Sequence, residues 1–248
     1  MAKRRQTDVI EERWNKKADA GRVIKESRQI EVRTPVQAQT QVQKDFLDAL
    51  KTHDVVVFSA PAGVGKTFLT MSECSDWLKK GLIDKITITR PVIPMGRSLG
   101  MLPSTLQQKF EPYLMPLLEV LWKRYGKNYY ENCLHDGNIE LLAPEYARGR
   151  SVSGVLIIDE AQSLHPDELY TMMTRMEEDS KLILIGDPTQ TDLKGQNGID
   201  WLEGFVHNNP SLGRHIRIIK ATSDDIVRSG LCKSMVKAKE REVINKNY

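Results

Sequence analysis

The residues best suited to chemistry lie in the segment Ala60-Pro61-Ala62-Gly63-Val64-Gly65-Lys66-Thr67. Closely spaced glycines followed by a lysine and a hydroxyl residue make a loop that turns successive backbone N–H groups onto a phosphate chain. Gly63 and Gly65 let the backbone approach that chain with no Cβ in the way. Lys66 is placed to reach the β- and γ-phosphates of a nucleotide, and the Thr67 hydroxyl to ligate Mg²⁺. The usual pattern G-x-x-x-x-G-K-[ST] has Ala60 at its first glycine, a position that tolerates a small residue. The candidate nucleotide-binding stretch therefore runs from Ala60 through Phe68.

Hydrolysis of a bound nucleotide requires acids on a nearby strand, and Val155-Leu156-Ile157-Ile158-Asp159-Glu160 supplies an apolar run ending in two of them. Asp159, at the strand tip, can hold Mg²⁺ through a water, while Glu160 can take a proton from an attacking water. Capping of the next helix would need one acid and would not explain the apolar run before it. A third segment, Leu182–Ile185, leads into Gly186-Asp187-Pro188-Thr189-Gln190. Ligands gather at the carboxyl ends of parallel strands, so Gln190 is expected to face the same crevice and bond a γ-phosphate or the water.

These groups must be carried by elements that bring them together. Short apolar, β-branched runs recur at 55–58, 86–88, 139–142, 155–158, 182–185 and 216–219, as expected of strands buried on both faces. Helical patterns lie between several of them, at 66–80, 166–178 and 199–207, and another over 34–53 carries Val42, Phe46, Leu47 and Leu50 on one face. This alternation predicts an α/β protein, a doubly wound, mostly parallel sheet with helices on both faces. Residues 98–132 contain Pro103, Pro112 and Pro116 and no clear strand, and are expected to form an inserted helical patch on the surface. Residues 1–33, with ten Lys/Arg against six Asp/Glu, read as a basic, partly helical polar arm, and 232–248 as a basic tail.

Composition narrows the class. The 248 residues carry 36 Lys+Arg and 33 Asp+Glu, with 40% hydrophobic and 28% charged residues, the balance of a globular domain with an ample core. No apolar run approaches the roughly 20 residues that span a bilayer, and no apolar region follows Lys3, Arg4 and Arg5 as a secretory signal would require. Neither a membrane protein nor a secreted one is expected, and the location that follows is cytoplasmic. Cys74, Cys133 and Cys232 lie far apart without a CxxC pair, which argues against a disulfide framework or a zinc site. Arg90, Arg148 and Arg150 could touch phosphate or a nucleic-acid backbone, or be solvated loop charges. Cys74, His53 and His165 read as structural. Trp122, Tyr125, Tyr129 and Tyr130 could stack on bases, but at helical spacing among leucines they read more naturally as core or a subunit contact.

Taken together, the stretches SAPAGVGKTFL, ITRPVIPMGRSLGMLPSTLQQKFEPYLMPL, EYARGRS, LIIDEAQ, GDPTQTDL and DIVRSGL resemble the PhoH family of P-loop ATPases, related to superfamily 1 helicases. The resemblance runs from about Thr34 to Leu231. It implies a single RecA-like P-loop NTPase core, hydrolysis of ATP with Mg²⁺, and a link to RNA or single-stranded nucleic acid. By the same resemblance Gln43 is the glutamine that reads the adenine edge, and Asp159 and Glu160 are the metal-binding and general-base pair. The chain departs from the family at Arg228-Ser229-Gly230, where many relatives have Arg-His-Pro, and its basic arm matches nothing in the family. An ATPase remodelling RNA or single-stranded DNA is the leading reading. The alternative is a nucleotide-gated regulatory or assembly ATPase with no nucleic-acid track, and the neighbouring carboxylates weigh against a small-molecule kinase. Too few residues follow Gln190 for a second lobe of on the order of 100 residues, so a neighbouring copy in a homo-oligomer, a hexameric ring by analogy with RecA-like rings, is expected to close the site. Arg228 is the candidate arginine, acting in its own site or the neighbour's.

Overall fold

Each of the six apolar runs becomes a strand: β1 (Val55–Ser59), β2 (Ile86–Thr89), β3 (Ile139–Leu141), β4 (Val155–Asp159), β5 (Lys181–Gly186) and β6 (Ile216–Lys220). A computed structural model describes residues 33–91, 106–147, 149–191 and 193–246. The strands form one sheet in the order β3-β2-β4-β5-β1-β6, with every neighbouring pair parallel. Between and around them lie α1 (Gln41–Thr52), α2 (Lys66–Lys79), α3 (Leu106–Tyr125), α4 (Lys127–His135), α5 (Pro144–Ala147), α6 (Pro166–Met173), α7 (Gly198–Asn208) and α8 (Gly230–Lys246).

Side chains of a strand alternate between its two faces, and here both faces are buried. Val56, Phe58, Ile86, Ile88, Ile157 and Ile183 belong to one apolar core, covered by α1, α2, α3 and α4. Val57, Leu156, Ile158, Leu182 and Leu184 face the other, covered by α6 and α7. Helices therefore lie on both faces of the sheet, as the sequence pattern predicts. Phe46 of α1 stacks on Phe58 of β1 with ring centroids 4.4 Å apart, fixing that helix over the strand that leads into the loop. Thr40 caps α1, its side chain accepting from the Gln43 N–H.

The expectation that residues 98–132 form a surface patch is corrected by α3. Leu114, Leu117, Leu118 and Leu121 are fully buried in the first core, and the helix packs against α2. Their spacing puts all four on one helical stripe, and Pro112 and Pro116 lie within the helix rather than ending it. A buried ion pair ties the two helices: the Arg124 guanidinium grips the Asp76 carboxylate, which also accepts from the Tyr125 hydroxyl at 2.7 Å. The aromatic group is packing at the same junction, Trp122 against Tyr130 at 5.6 Å and Tyr125 against Tyr129 at 5.3 Å. Residues 232–246 of the expected basic tail lie in α8; residues 247–248 and the basic arm, but for Arg33, fall outside the described residues.

Because Leu118 has no exposed surface, Leu118→Ala is expected to destabilise the protein by about 2–5 kcal/mol. The neighbouring Glu119→Ala, at an exposed side chain, should stay within about 0.5 kcal/mol of the parent. Chemical denaturation of both variants measures the contrast.

Candidate functional site

The loop from Ala60 to Gly65 joins the end of β1 to the start of α2. Gly63 and Gly65 have φ of +89° and +93°, in the left-handed region that favours glycine. A Cβ on Gly63 would meet Cys232 Sγ at 2.9 Å and the Arg228 and Ile226 side chains at 3.1 Å. The loop is pinned from three sides. The Ala60 N–H donates to the Gly186 carbonyl at 3.0 Å, and the Gln43 amide donates to the Val64 carbonyl at 2.8 Å. The Gly63 carbonyl accepts from the Val227 and Arg228 N–H groups at 3.1 and 3.2 Å.

Lys66 opens α2, and its ammonium donates to the carbonyls of Ala60 and Pro61. Burial lowers its pKa, opposed by the charges of Asp187, Glu160 and Asp159. Thr67 is partly exposed, and Phe68, 54% exposed, stands on the first turn of α2. Gln43 is buried with both ends of its amide bonded inside the protein, since its Oε1 accepts from the Gln39 N–H at 2.6 Å. In this arrangement it supports the loop; the resemblance had implied a base-reading role.

Asp159 ends β4, buried and in an ion pair with Arg90 at 3.4 Å. Burial pushes its carboxyl up to about 6, against the pull of Arg90 and with the charge of Glu160 adding to the rise. Glu160 follows at φ 52°, ψ 41°, a left-handed conformation that costs a non-glycine residue on the order of 1 kcal/mol. One carboxylate oxygen accepts from Arg90 at 3.2 Å and the other from the Gln162 amide at 2.6 Å.

Gln162 and Asp187 are the site residues to which the sequence reading gave no role. Gln162 is buried, donates to Glu160 and accepts from the Asp187 N–H at 3.1 Å, so it joins the ends of β4 and β5. Gly186 makes room for it, since a Cβ there would lie 2.3 Å from Gln162 Oε1. Asp187 accepts from the Thr189 N–H and hydroxyl and, at 2.6 Å, from the Gln190 amide. The sequence signal for Asp187 was its place directly after a strand, and for Gln162 its place three residues beyond one. A groove of about 670 Å³ runs along the same edge, lined by Ser59, Pro61, Asp187, Gln190, Lys220 and Lys239.

The fold thus brings the phosphate loop, Asp159, Glu160 and Gln190 to one edge of the sheet. Arg228 is exposed, but its main chain docks on Gly63. Arg150 is held away in an ion pair with Glu140 at 2.8 Å, and Arg148 lies outside the described residues. His165 precedes α6, its N–H donating to Glu168 at 2.9 Å, and Cys74 is a fully buried thiol.

A strand, a glycine-turned loop and a helix, with an acidic strand two places away across β5, define a RecA-like P-loop NTPase core. Residues 35–240 match the family described as PhoH-like protein, and the chain belongs to that family. It is 34% identical over 210 residues to the PhoH-like protein of Bacillus subtilis (strain 168), covering 84% of this chain and 65% of that protein. It is 32% identical over 211 residues to the protein PhoH of Escherichia coli (strain K12), covering 83% of this chain and 58% of that protein. The chain thus spans about three-fifths of the length of these curated relatives. Among solved structures, it aligns with the HK97 bacteriophage large terminase at a TM-score of 0.45 and 16% identity, over 76% of this chain and 40% of that one. It aligns with the UvsW helicase from bacteriophage T4 at 0.45 and 11%, over 82% and 67%.

The raised pKa of Asp159 makes a signed prediction. The folded protein holds that proton more tightly than the unfolded chain, so the contribution is full below pH 3.8 and lost as pH rises through about 6. Asp159→Asn removes this loss, and its stability relative to the parent should rise between pH 4 and 7 by up to about 3 kcal/mol. Denaturation midpoints across that range, without nucleotide or metal, check it.

Proposed function

We propose that the protein binds ATP with Mg²⁺, hydrolyses it to ADP and phosphate, and couples the reaction to remodelling of RNA or single-stranded nucleic acid. The observation that carries this reading is the bonded path from Glu160 through Gln162 and Asp187 to the end of β5, where Gly186 holds Ala60 of the phosphate loop. Proton acceptor and phosphate cradle are thereby tied into one unit.

The donor set fits the metal. The Thr67 hydroxyl and the Asp159 carboxylate are hard oxygen ligands, which Mg²⁺ takes together with waters and phosphate oxygens. Among the described residues no cluster of three or more His, Cys, Asp or Glu could hold a metal without that help. When bound, Mg²⁺ would neutralise charge on the β- and γ-phosphates. The remaining chemistry falls to the chain. Backbone N–H groups of the loop and the first turn of α2 receive the phosphates, and Lys66 exchanges its carbonyl partners for phosphate oxygens. Glu160 accepts the proton of the attacking water as its oxygen bonds the γ-phosphorus and the bond to the β-phosphate oxygen breaks. Gln190 orients that water or the γ-phosphate, and Phe68 offers an exposed face to the nucleoside.

Arg228 is assigned to its own site, supported by the bond from its N–H to Gly63. Leu231 and Met235, 73% and 64% exposed and about one turn apart on α8, support a homo-oligomeric contact beside the loop, in a ring as the resemblance implies. The nucleic-acid track rests on the family's relation to superfamily 1 helicases.

Lys66→Ala should weaken ATP binding and abolish phosphate release, while Glu160→Gln should bind ATP normally and lower turnover by about 10²-fold or more. Single-stranded RNA should stimulate the parent enzyme, with the stimulation fading as salt rises. Equilibrium ATP binding, together with phosphate release with and without RNA, tests all three. Absence of stimulation across several sequences and salt concentrations favours the regulatory ATPase. Mixtures of Arg228→Ala and Lys66→Ala subunits should remain inactive; activity returning on mixing would assign Arg228 to the neighbour's site.

A further inference from the structure

By sequence, Arg90 is a cation after a strand that could touch phosphate or nucleic acid, or be a solvated loop charge. In the structure its side chain, 27% exposed, turns inward and meets three acceptors on two other elements. Nη1 lies 3.4 Å from Asp159 Oδ2 and 3.3 Å from the carbonyl oxygen of Tyr113 in α3, and Nη2 lies 3.2 Å from Glu160 Oε1.

Each contact has a structural cause. The parallel register pairs Thr89 of β2 with Ile158 of β4, and continuing it one residue sets Arg90 beside Asp159. The left-handed backbone at Glu160 turns the chain immediately after the strand, keeping the second carboxylate within reach of the same guanidinium. In α3, the Tyr113 carbonyl reaches Arg90 three residues before Pro116, which has no N–H to give the Pro112 carbonyl.

The electrostatic need is equally specific. Two carboxylates on consecutive residues repel one another, and the Asp159 side chain is only 8% exposed, so water screens it little. Lys66, a second cation near the carboxylates, is bonded to the carbonyls of Ala60 and Pro61. Arg90 forms an ion pair with both carboxylates. Its fork of N–H donors suits this bridging, where an ammonium would act as a single point charge.

We propose that Arg90 is a positioning residue that stands in for the metal ion. With no divalent cation bound, it holds Asp159 and Glu160 together; when the cation binds, it yields Asp159 and keeps Glu160 in orientation for its water. The proposal rests on Asp159 being the metal-binding carboxylate of the ATPase described above. Competition for Asp159 means that the arginine weakens metal binding while supporting catalysis, so its removal should move the two in opposite directions. A residue that merely braces α3 through Tyr113 would, on removal, harm both.

The test is titration of the full chain with Mn²⁺ in the presence of ADP, read as free Mn²⁺ by electron paramagnetic resonance, together with ATP turnover at saturating Mg²⁺. Arg90→Gln should bind Mn²⁺ about tenfold more tightly than the parent, and its turnover should fall by about tenfold or more. Arg90→Lys, which keeps the charge and loses the fork, should lie between the two on both measures. A gain in metal affinity cannot come from a damaged fold. Unchanged or weaker Mn²⁺ binding in both variants overturns the proposal. Asp159→Asn separates this failure from a failure of the underlying site: it should weaken Mn²⁺ binding strongly. If it does so while the Arg90 variants gain nothing, Arg90 alone has been misread; if it leaves binding unchanged, the metal assignment and this proposal fall together.

Discussion

The site depends on one constraint, that all six strands of the sheet run in the same direction. Parallel strands present their carboxyl ends along a single edge, so groups distant in sequence become neighbours without any loop reaching across the fold. The phosphate loop leaves β1, Arg90 leaves β2, Asp159 ends β4 and Asp187 follows β5. Register then sets their relative heights: Phe58 pairs with Ile185 and Ser59 with Gly186, which delivers the Ala60 N–H to the Gly186 carbonyl. Such a sheet needs apolar cover on both faces. α3 belongs to that cover, which explains why its leucine stripe is buried although the segment carries two internal prolines.

At the edge, the polar groups are arranged so that few buried charges lack a partner. The Lys66 ammonium rests on main-chain carbonyls, the carboxylates share Arg90, and Gln162 and Asp187 bond the turns after β4 and β5 to one another. Under the proposed function, each of these partners except the Gln162 bridge is one that a triphosphate or a metal ion displaces. The bridge is different in kind, because it joins two strand ends and is enclosed by Gly186. It reads as the fixed frame against which the exchangeable contacts move.

The segment before α8 adds a second link between distant parts of the chain. Val227 and Arg228 donate to Gly63, and Cys232 packs where a Gly63 side chain would be, so the glycine serves the docking of this segment. α8 itself continues past the loop with Leu231 and Met235 exposed, which gives this edge of the molecule an apolar border next to a polar site.

The sequence by itself determined the strands, their parallel α/β arrangement and the loop with its two glycines, because β-branched runs and closely spaced glycines are local signals of local backbone needs. It also brought forward Asp159 and Glu160, which follow one apolar run, and Gln190, in the turn after another. Only the tertiary structure decided what these groups touch. Gln162 and Asp187 carry no composition signal, since their roles come from the packing of the β4 and β5 ends against each other. Arg90 could be placed at a strand end from sequence, but not turned toward two carboxylates 69 and 70 residues away, because that contact exists only once β2 and β4 are paired in register. Burial of α3 ran against the surface patch expected from the sequence, since an amphipathic stripe shows that a helix has an apolar face and not which surface covers it.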